Sequence, residues 1–547
     1  MRASRTGACA PPRPKSMKGT LSKTLALLLL LLACGATAPA QSAKLPSPDR
    51  IVADYLKAVG GKKRVAALRD ATYEWAVRAP GRGEASARVQ TKAPSFARTD
   101  VDGESGQVVF AVNPRMAWRM LPNRPVETLT GAEAFNARLQ ATLGAGRLVD
   151  FKKMKVLART AGAEQVGGET AYVVEFSTRE GGRTRLWFGA SSKLLLRTED
   201  AAGGVFTYED YRPEGGVLEA HRSTHEAGGK VDATYVLRSV RYNTGLADSL
   251  FEPPADSSLD IPALLRDLAK NQDDVDKRIN DYTFTQKVTE REVDDKGRVK
   301  KEKVSVYEVY PIEDYGWVQK LVSENGVPLS PERAAKEEKR AAEELEKAER
   351  EAPKMKEKRE RARAELKKKM RERAAKEGRE VTDEEPEEVA ISTFLRACEF
   401  VSPRRERFRD RDAVVFDFRP RAGFKPKNTG ESIVSKLSGV IWVDPQERQV
   451  MRLEGRLVDS FKVGGGLLAS IKSGSAFVFE QTRVEDGVWL PRFSQVNISA
   501  RVMLFAGLSV NETHEFSDYK RFSTKTGEDQ LDSPKKPEQE EVKPPQP

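Results

Sequence analysis

Residues 185–199 read RLWFGASSKLLLRTE, and residues 440–454 read VIWVDPQERQVMRLE. They align without a gap: Trp187 falls on Trp442, Arg197 on Arg452 and Glu199 on Glu454, with apolar residues at Leu186/Ile441, Leu195/Val450 and Leu196/Met451. Two further blocks repeat in the same order. AYVVEF (171–176) matches AVVFDF (413–418), and VFTYEDYRPEGGVLEAH (205–221) matches AFVFEQTRVEDGVWLPR (476–492). One such echo between strands arises by chance; three in one order do not. The chain therefore reads as two copies of a domain of about 210 residues plus an insertion. Its 547 residues are too many for one core, and 39% hydrophobic residues suffice to build two.

The pattern within each copy is a helix followed by long alternating segments. Ser47-Pro48-Asp49 is a helix start, Ile51, Tyr55 and Val59 share one face, and Gly60-Gly61 ends the helix. TYEWAVRA, ASARVQTK, SFARTDV, GQVVFAV and MAWRML alternate as strands. Thr130-Gly131-Ala132-Glu133 has the form of a capping box, opening a helix with Phe135, Leu139 and Leu143 on one stripe. Strands resume from AYVVEF to TYVLRSVRY. In the second half Pro262–Ile279 reads as helix, with Leu265, Leu268 and Val275 apolar. DYTFTQKVTEREV and RVKKEKVSVYEVYPI follow as strands around the hairpin signal Asp294-Asp295-Lys296-Gly297.

The N-terminus sets the compartment. From Met17 a short basic segment, the apolar run Leu25–Leu32 and small residues form a secretory signal peptide, too short to span a membrane as a helix. Met17 is the expected start. Two processing sites compete: cleavage after Ala40, in Ala38-Pro39-Ala40, or a lipobox Leu31-Leu32-Ala33-Cys34 that would leave Cys34 lipidated. Either places the mature chain outside the cytoplasm, which argues against nucleic acid as its partner.

The net charge of +11 is unevenly distributed. Residues 331–380 hold 19 Lys/Arg against 14 Glu and almost no large apolar residue, so they read as a solvated charged helix without a coiled-coil seam. Pro353 is expected to break or kink it. Residues 354–376 are the most basic part, 12 Lys/Arg to 4 Glu, a patch suited to a membrane surface or an acidic partner. Much of the positive excess thus belongs to an appendage. Beyond Thr524 the sequence lacks hydrophobes and reads as a disordered tail.

Catalytic constellations are scarce. The chain has three histidines, His221, His225 and His514; the first two read as exposed strand residues with no third metal ligand nearby. Cys398, in ISTFLRACEF, reads as a small buried hydrophobe on a helical face. No nucleophile elbow, P-loop, dinucleotide fingerprint or zinc motif is present. No cofactor, metal or catalytic residue is expected, and nothing in the sequence fixes the oligomeric state.

A leading helix ending in Gly-Gly, meandering strands, the "LWF…LLR" hairpin and the closing YVLRSVRYNTGLADSLFEPP resemble the outer-membrane lipoprotein-sorting (LolA-like) family, most clearly over about 48–254. The second half departs through its insertion. The resemblance implies an α+β fold: two tandem curved antiparallel sheets, incomplete barrels each covered by helices, with a long charged helical insertion in the second. The expected organisation is a signal peptide 17–40, a first domain 45–255, a second domain 259–525 with the insertion at 331–385, and a tail 526–547. The resemblance also implies an apolar cavity for lipid or lipoprotein acyl chains. A chain of about 16 carbons hides roughly 13 kcal/mol of methylene surface, so a carrier or acceptor must offer comparable apolar area. Trp75, Trp118, Trp187, Trp317 and Trp442, all in strand segments, are the cavity candidates. The alternative is a non-catalytic envelope interaction or stress-sensing module that uses the charged helix as its contact.

Overall fold

The computed structural model describes residues 45–81, 83–293, 299–313, 315–377, 396–426, 429–463, 469–502 and 506–521. The signal peptide, Cys34 and Ala40, the hairpin signal 294–297, the insertion beyond 377 up to 395 and the tail lie outside them. Every element below belongs to the compact unit Ser47–Pro547.

The α+β class is corrected. Among the described residues 52% lie in strands and 22% in helices, so the fold is mainly β: two large antiparallel sheets and six helices that do not cover them. The long alternating runs decide this, because each supplies a strand of about ten residues while most helices are short.

In the first sheet, strand Asp70–Arg78 pairs on one side with Glu84–Lys92 and on the other with Lys230–Tyr242, the last strand of the sheet. One arm continues through Phe96–Gly103, Gly106–Val112 and Ala117–Met120 to an edge at Glu127–Thr128. The other runs through Val217–Ala227, Val205–Glu214, Leu195–Glu199, Arg183–Gly189 and Glu169–Ser177 to an edge at Leu157–Val166. The second sheet places Tyr282–Val293 between Val299–Ile312 and its own last strand, Ala506–Arg521. Its long arm returns through Trp489–Val502, Ala476–Arg483, Gln449–Leu457, Leu437–Asp444 and Arg411–Pro420 to Cys398–Phe408.

Helix α1 (Pro48–Ala58) is capped as its sequence requires: Ser47 Oγ accepts from Arg50 N at 3.4 Å, with Pro48 in the first turn. It buries Ile51, Val52 and Leu56 against Phe176, Phe188 and Val217 of the first sheet. Each such side chain contributes about 1.5–3 kcal/mol on full burial. A short helix α2 (Lys62–Ala66) follows. Helix α3 (Gly131–Ala145) begins without the expected box. Thr130 makes no side-chain cap, and Glu133 is taken by Arg119 Nη1 at 3.1 Å.

Helix α3 also shows how the first sheet bends. It packs against Ala117–Met120 and also against Arg183–Gly189, strands separated by eight others in the sheet order. Nine spacings would span about 43 Å in a flat sheet, whereas a 15-residue helix is about 22 Å long. The sheet curls around the helix, and Ala134, Ala137 and Ala141 allow the close approach.

In the second sheet, helix α4 (Ile261–Arg278) packs Ile261, Leu265 and Leu268 on Phe416, Phe418 and Ile441, one arm only. The charge-rich helix α5 (Pro331–Glu377) runs through Pro353 and lies on Gly316–Glu324. A sixth, short helix spans Thr429–Val434. Cys398 opens a strand rather than lying on a helix; it is fully buried, and burial pushes its thiol up to about 12.

The sheets meet through faces turned away from α3 and α4. Val109, Ala111, Met116 and Trp118 of the first pack on Val415, Val440, Trp442, Met451 and Trp489 of the second. A buried ionic network borders this contact. Arg404 donates to Glu406 at 2.6 Å, to Asp417 at 2.9 Å and to Thr128 Oγ1 at 2.5 Å. Arg115 donates to the other oxygen of Asp417 at 2.9 Å and also pairs with Glu252. The network joins strands about 300 residues apart in sequence, so their relative position depends on its completeness.

Candidate functional site

Strand register identifies what faces the hollow of the first sheet. Val112 and Ala117 pack with α3, and the pairs Val112–Ala97 and Ala97–Thr91 carry that face to strand Glu84–Lys92. Tyr73 lies opposite Val89 and Trp75 opposite Ala87, two and four residues from Thr91, so both project to the side of the helix. Across the next pairings Val77 meets Tyr235, Tyr235 meets Ser223, Ser223 meets Tyr208, and His225 meets Phe206. Four adjacent central strands thus aim one row of rings inward.

The rings touch in sequence. Tyr73 stacks with Trp75 at 6.4 Å, Trp75 meets Tyr235 edge-on at 6.5 Å, Tyr235 meets Phe206 at 5.8 Å, and Phe206 meets His225 at 4.4 Å. Tyr73, Trp75, Phe206, Tyr208 and Tyr235 are all half-buried. Burial raises the pKa of both the Tyr73 and Tyr208 hydroxyls, yet both residues keep accessible surface. This half-open row of rings, on the helix-facing side of the central strands, is called the trough below.

Each end of the trough is polar. At one end Glu219 Oε1 accepts from Arg147 at 2.9 Å, Tyr242 OH at 2.7 Å and Tyr73 OH at 3.0 Å, and Arg147 also donates to Tyr73 OH at 2.6 Å. Burial works against the Arg147 cation, but Tyr73 and Glu219 outweigh it and hold it charged. At the other end His225 is gripped by Asp200 at 2.7 Å and Asp232 at 2.6 Å. Asp200 above all, then Asp232, raises the imidazole pKa against burial. His225 is therefore not the exposed strand residue expected. His221 is also partly buried, 3.2 Å from Glu214. Among the described residues no group of three or more His, Cys, Asp or Glu is arranged to hold a metal ion.

Only some of the five tryptophans face this way. Trp75 lies in the trough. Trp118 and Trp442, each 1% exposed, lie in the contact between the sheets. Trp187 packs with Val166, Ala171 and Val173 on the outer face, its indole N–H donating to Glu164 at 2.8 Å. Trp317, 41% exposed, sits on an aromatic group of the second sheet, 5.3 Å from Phe284, which in turn lies 5.8 Å from Phe516. Tyr73, Phe206, Tyr208, Tyr235, Arg147 and Glu219 were missed from sequence. The alternations in TYEWAVRA and VFTYEDY carry the signal for three of these positions: Tyr73, two residues before Trp75, and Phe206 with Tyr208.

No protein-family model matches the chain, and no curated protein does. Among solved structures it is similar to a LolA superfamily protein of Nitrosomonas europaea, 15% identical, covering 39% of this chain and 100% of that one with a TM-score of 0.28. It is similar to a DUF1329 family protein of Desulfovibrio piger, 14% identical over 37% of this chain and 96% of that one, TM-score 0.26. The Pseudomonas aeruginosa MucA/MucB complex structure is 7% identical and covers 85% of this chain and 94% of that one, TM-score 0.18. At such identities and scores these are partial likenesses.

Proposed function

We propose that this chain is a cell-envelope protein that holds an acyl chain of a lipid or lipoprotein in the trough of its first sheet. The observation that carries the reading is the row Tyr73–Trp75–Tyr235–Phe206, four touching rings left half-open on the inner face of a curled sheet. Aromatic faces offer large apolar area at little entropic cost, and burying each methylene against them yields about 0.8 kcal/mol. The polar ends suit a ligand whose head stays near water. Secretion follows from the signal peptide 17–40, with lipidation of Cys34 as a tether or cleavage after Ala40 as release.

The reading includes a duplicated domain, 45–255 and 259–525. Two features support it: each sheet pairs its first strand with its last, and each sets an arginine over a tryptophan in the echoed hairpin. The second reading, a non-catalytic interaction or sensing module, draws on helix α5, whose basic residues 354–376 suit an anionic membrane surface.

Native mass spectrometry of the mature protein tests the first reading by detecting copurified lipid, and titration with a fluorescent fatty acid measures the site directly. Trp75→Ala and Tyr235→Ala are expected to weaken fatty-acid binding about tenfold or more, while Trp187→Ala leaves it unchanged. Absence of both copurified lipid and saturable fatty-acid binding would remove the acyl-chain reading and leave the interaction module.

A further inference from the structure

The bonds that fix helix α5 to the second sheet come, among the described residues, from its first half. Arg333 donates to Glu324 at 2.8 Å, Glu338 accepts from Lys320 at 2.8 Å, and Arg340 donates to the carbonyl of Gln319. Ala341 and Ala348 are buried and Leu345 is half-buried, and this burial ends at Ala352. From Pro353 on, every described side chain is exposed, Met355 to 42%. The helix continues to Glu377, so about 36 Å of it extend past the anchorage.

Charge divides at the same point. Residues 331–352 hold 6 Lys/Arg and 8 Glu, whereas residues 354–376 hold 12 Lys/Arg and 4 Glu, a net charge of +8. In the first half the cations have acids at helical spacing: Arg340 pairs with Glu337 and Glu344, and Lys339 with Glu343. In the second half Arg361 takes Glu357, and the remaining acids are too few for the remaining cations. The apolar face, by contrast, does not stop with the sheet. Steps of three and four residues lead from Ala341, Leu345, Ala348 and Ala352 to positions 355, 359, 362, 366 and 370, which are Met, Arg, Ala, Leu and Met. The face that packs on the sheet therefore runs on as a narrow apolar stripe within a surplus of cations. An acidic protein would answer the charge alone. A bilayer with anionic headgroups answers both features, with phosphates for the cations and an interfacial layer for the stripe.

We infer that the half of helix α5 beyond Pro353 is a docking arm for an anionic phospholipid surface, on which it lies lengthwise with its Lys and Arg among the headgroup phosphates and its apolar stripe at the acyl boundary. This rests on the second reading above. It adds the chemistry of the partner, the residues that meet it and a split within the helix, whose first half anchors the arm to the second sheet. It does not depend on acyl-chain binding, because Tyr73, Trp75, Phe206 and Tyr235 belong to the first sheet.

The test is co-sedimentation of the mature chain from Gln41, which carries no lipid of its own, with vesicles of phosphatidylcholine alone or mixed equally with phosphatidylglycerol. Binding is expected to the mixed vesicles only, and should weaken as salt rises from about 0.1 M to about 0.5 M. Lys367→Gln, Lys368→Gln and Lys369→Gln together are expected to weaken it about tenfold or more. Leu366→Gln, which keeps the charge, should weaken it about threefold or more. Gln forms helix about as well as Lys and Leu, and these positions lie past the anchorage, so both variants should keep the wild-type circular dichroism. Trp75→Ala, in the trough, should sediment as the wild type does. Equal sedimentation with both kinds of vesicle, or an unchanged triple variant, overturns the arm; an unchanged Leu366→Gln overturns the part given to the stripe. Saturable binding of polyglutamate without vesicle binding overturns the lipid surface as partner and leaves the second reading standing, whereas binding of neither removes both. Vesicle binding that emerges only when Asp383, Glu384, Glu385, Glu387 and Glu388 are changed to their amides would assign the arm to the chain's own acidic run, and also overturns the proposal.

Discussion

Arg452 and Trp442 stand directly opposite each other on adjacent strands, and the guanidinium lies 5.7 Å over the indole ring. Arg197 and Trp187 hold the same cross-strand relation in the first sheet, at 6.0 Å. The echo in the sequence is thus the trace of a cation–π pair that fixes a hairpin register. Its surroundings differ: the Trp442 ring is sealed between the sheets, and the Trp187 ring packs on the outer face of the first sheet alone.

Trp442→Ala should therefore cost about 3–5 kcal/mol, because it opens a cavity where the two sheets meet. Trp317→Ala, at a site 41% exposed, should cost less than about 1 kcal/mol. Urea unfolding of both variants checks the difference; equal midpoints would contradict the placement of Trp442.

Asp417 is fully buried and serves two arginines from different sheets, Arg404 and Arg115. Asp417→Ala leaves Arg404 with Glu406 and Arg115 with Glu252, one carboxylate each instead of two. A loss of about 3–5 kcal/mol is expected. Because the network links the sheets, calorimetry should also show a broader transition or two. A single, unshifted transition would mean that the apolar contact alone holds the sheets.

His225 makes the first sheet sensitive to pH. Its pKa is raised above the ordinary 6.5, chiefly by Asp200 and then, after the opposing effect of burial, by Asp232; Tyr235 is the other titratable group beside it. A raised folded-state pKa means that the stabilisation is complete below 6.5 and is lost as pH rises through the folded value. The wild type should lose stability relative to His225→Gln across that alkaline window. Parallel stability–pH curves for the two proteins would show that the ion pairs contribute nothing.

Gly439 and Gly455 lie opposite each other across two strands, and neither has room for a side chain. A methyl group on Gly439 would strike the carbonyl oxygen of Glu454, which belongs to the sheet backbone and cannot move aside. On Gly455 it would meet the Phe477 ring at 2.5 Å, a side chain that can rotate away. Gly439→Ala should cost about 2–3 kcal/mol and Gly455→Ala about 1 kcal/mol. The reverse order in chemical denaturation would refute this account.

The legible parts of the fold were those written locally. Ser47-Pro48 begins helix α1 where expected, because a cap needs only its own first turn. The capping box at Thr130 did not form, because Arg119, a strand away, takes Glu133. The four-residue spacing from Phe394 suggests a helical face for Cys398, yet Cys398 opens a strand whose partner is Arg411–Pro420. The burial of the histidines was missed for a similar reason: Asp200 and Asp232 lie 25 and 7 residues from His225.

The sequence by itself determined which segments alternate, where most helices begin and which hairpins are written twice, since each depends on residues a few positions apart. Only the tertiary structure decided which face of each strand is the inside. In Leu437–Asp444 every position is buried, so period-two alternation carries no sign there, and the second sheet turns Trp442 toward its neighbour rather than into a hollow. The row from Tyr73 to Phe206 is likewise a product of register, which arises from packing between segments far apart along the chain.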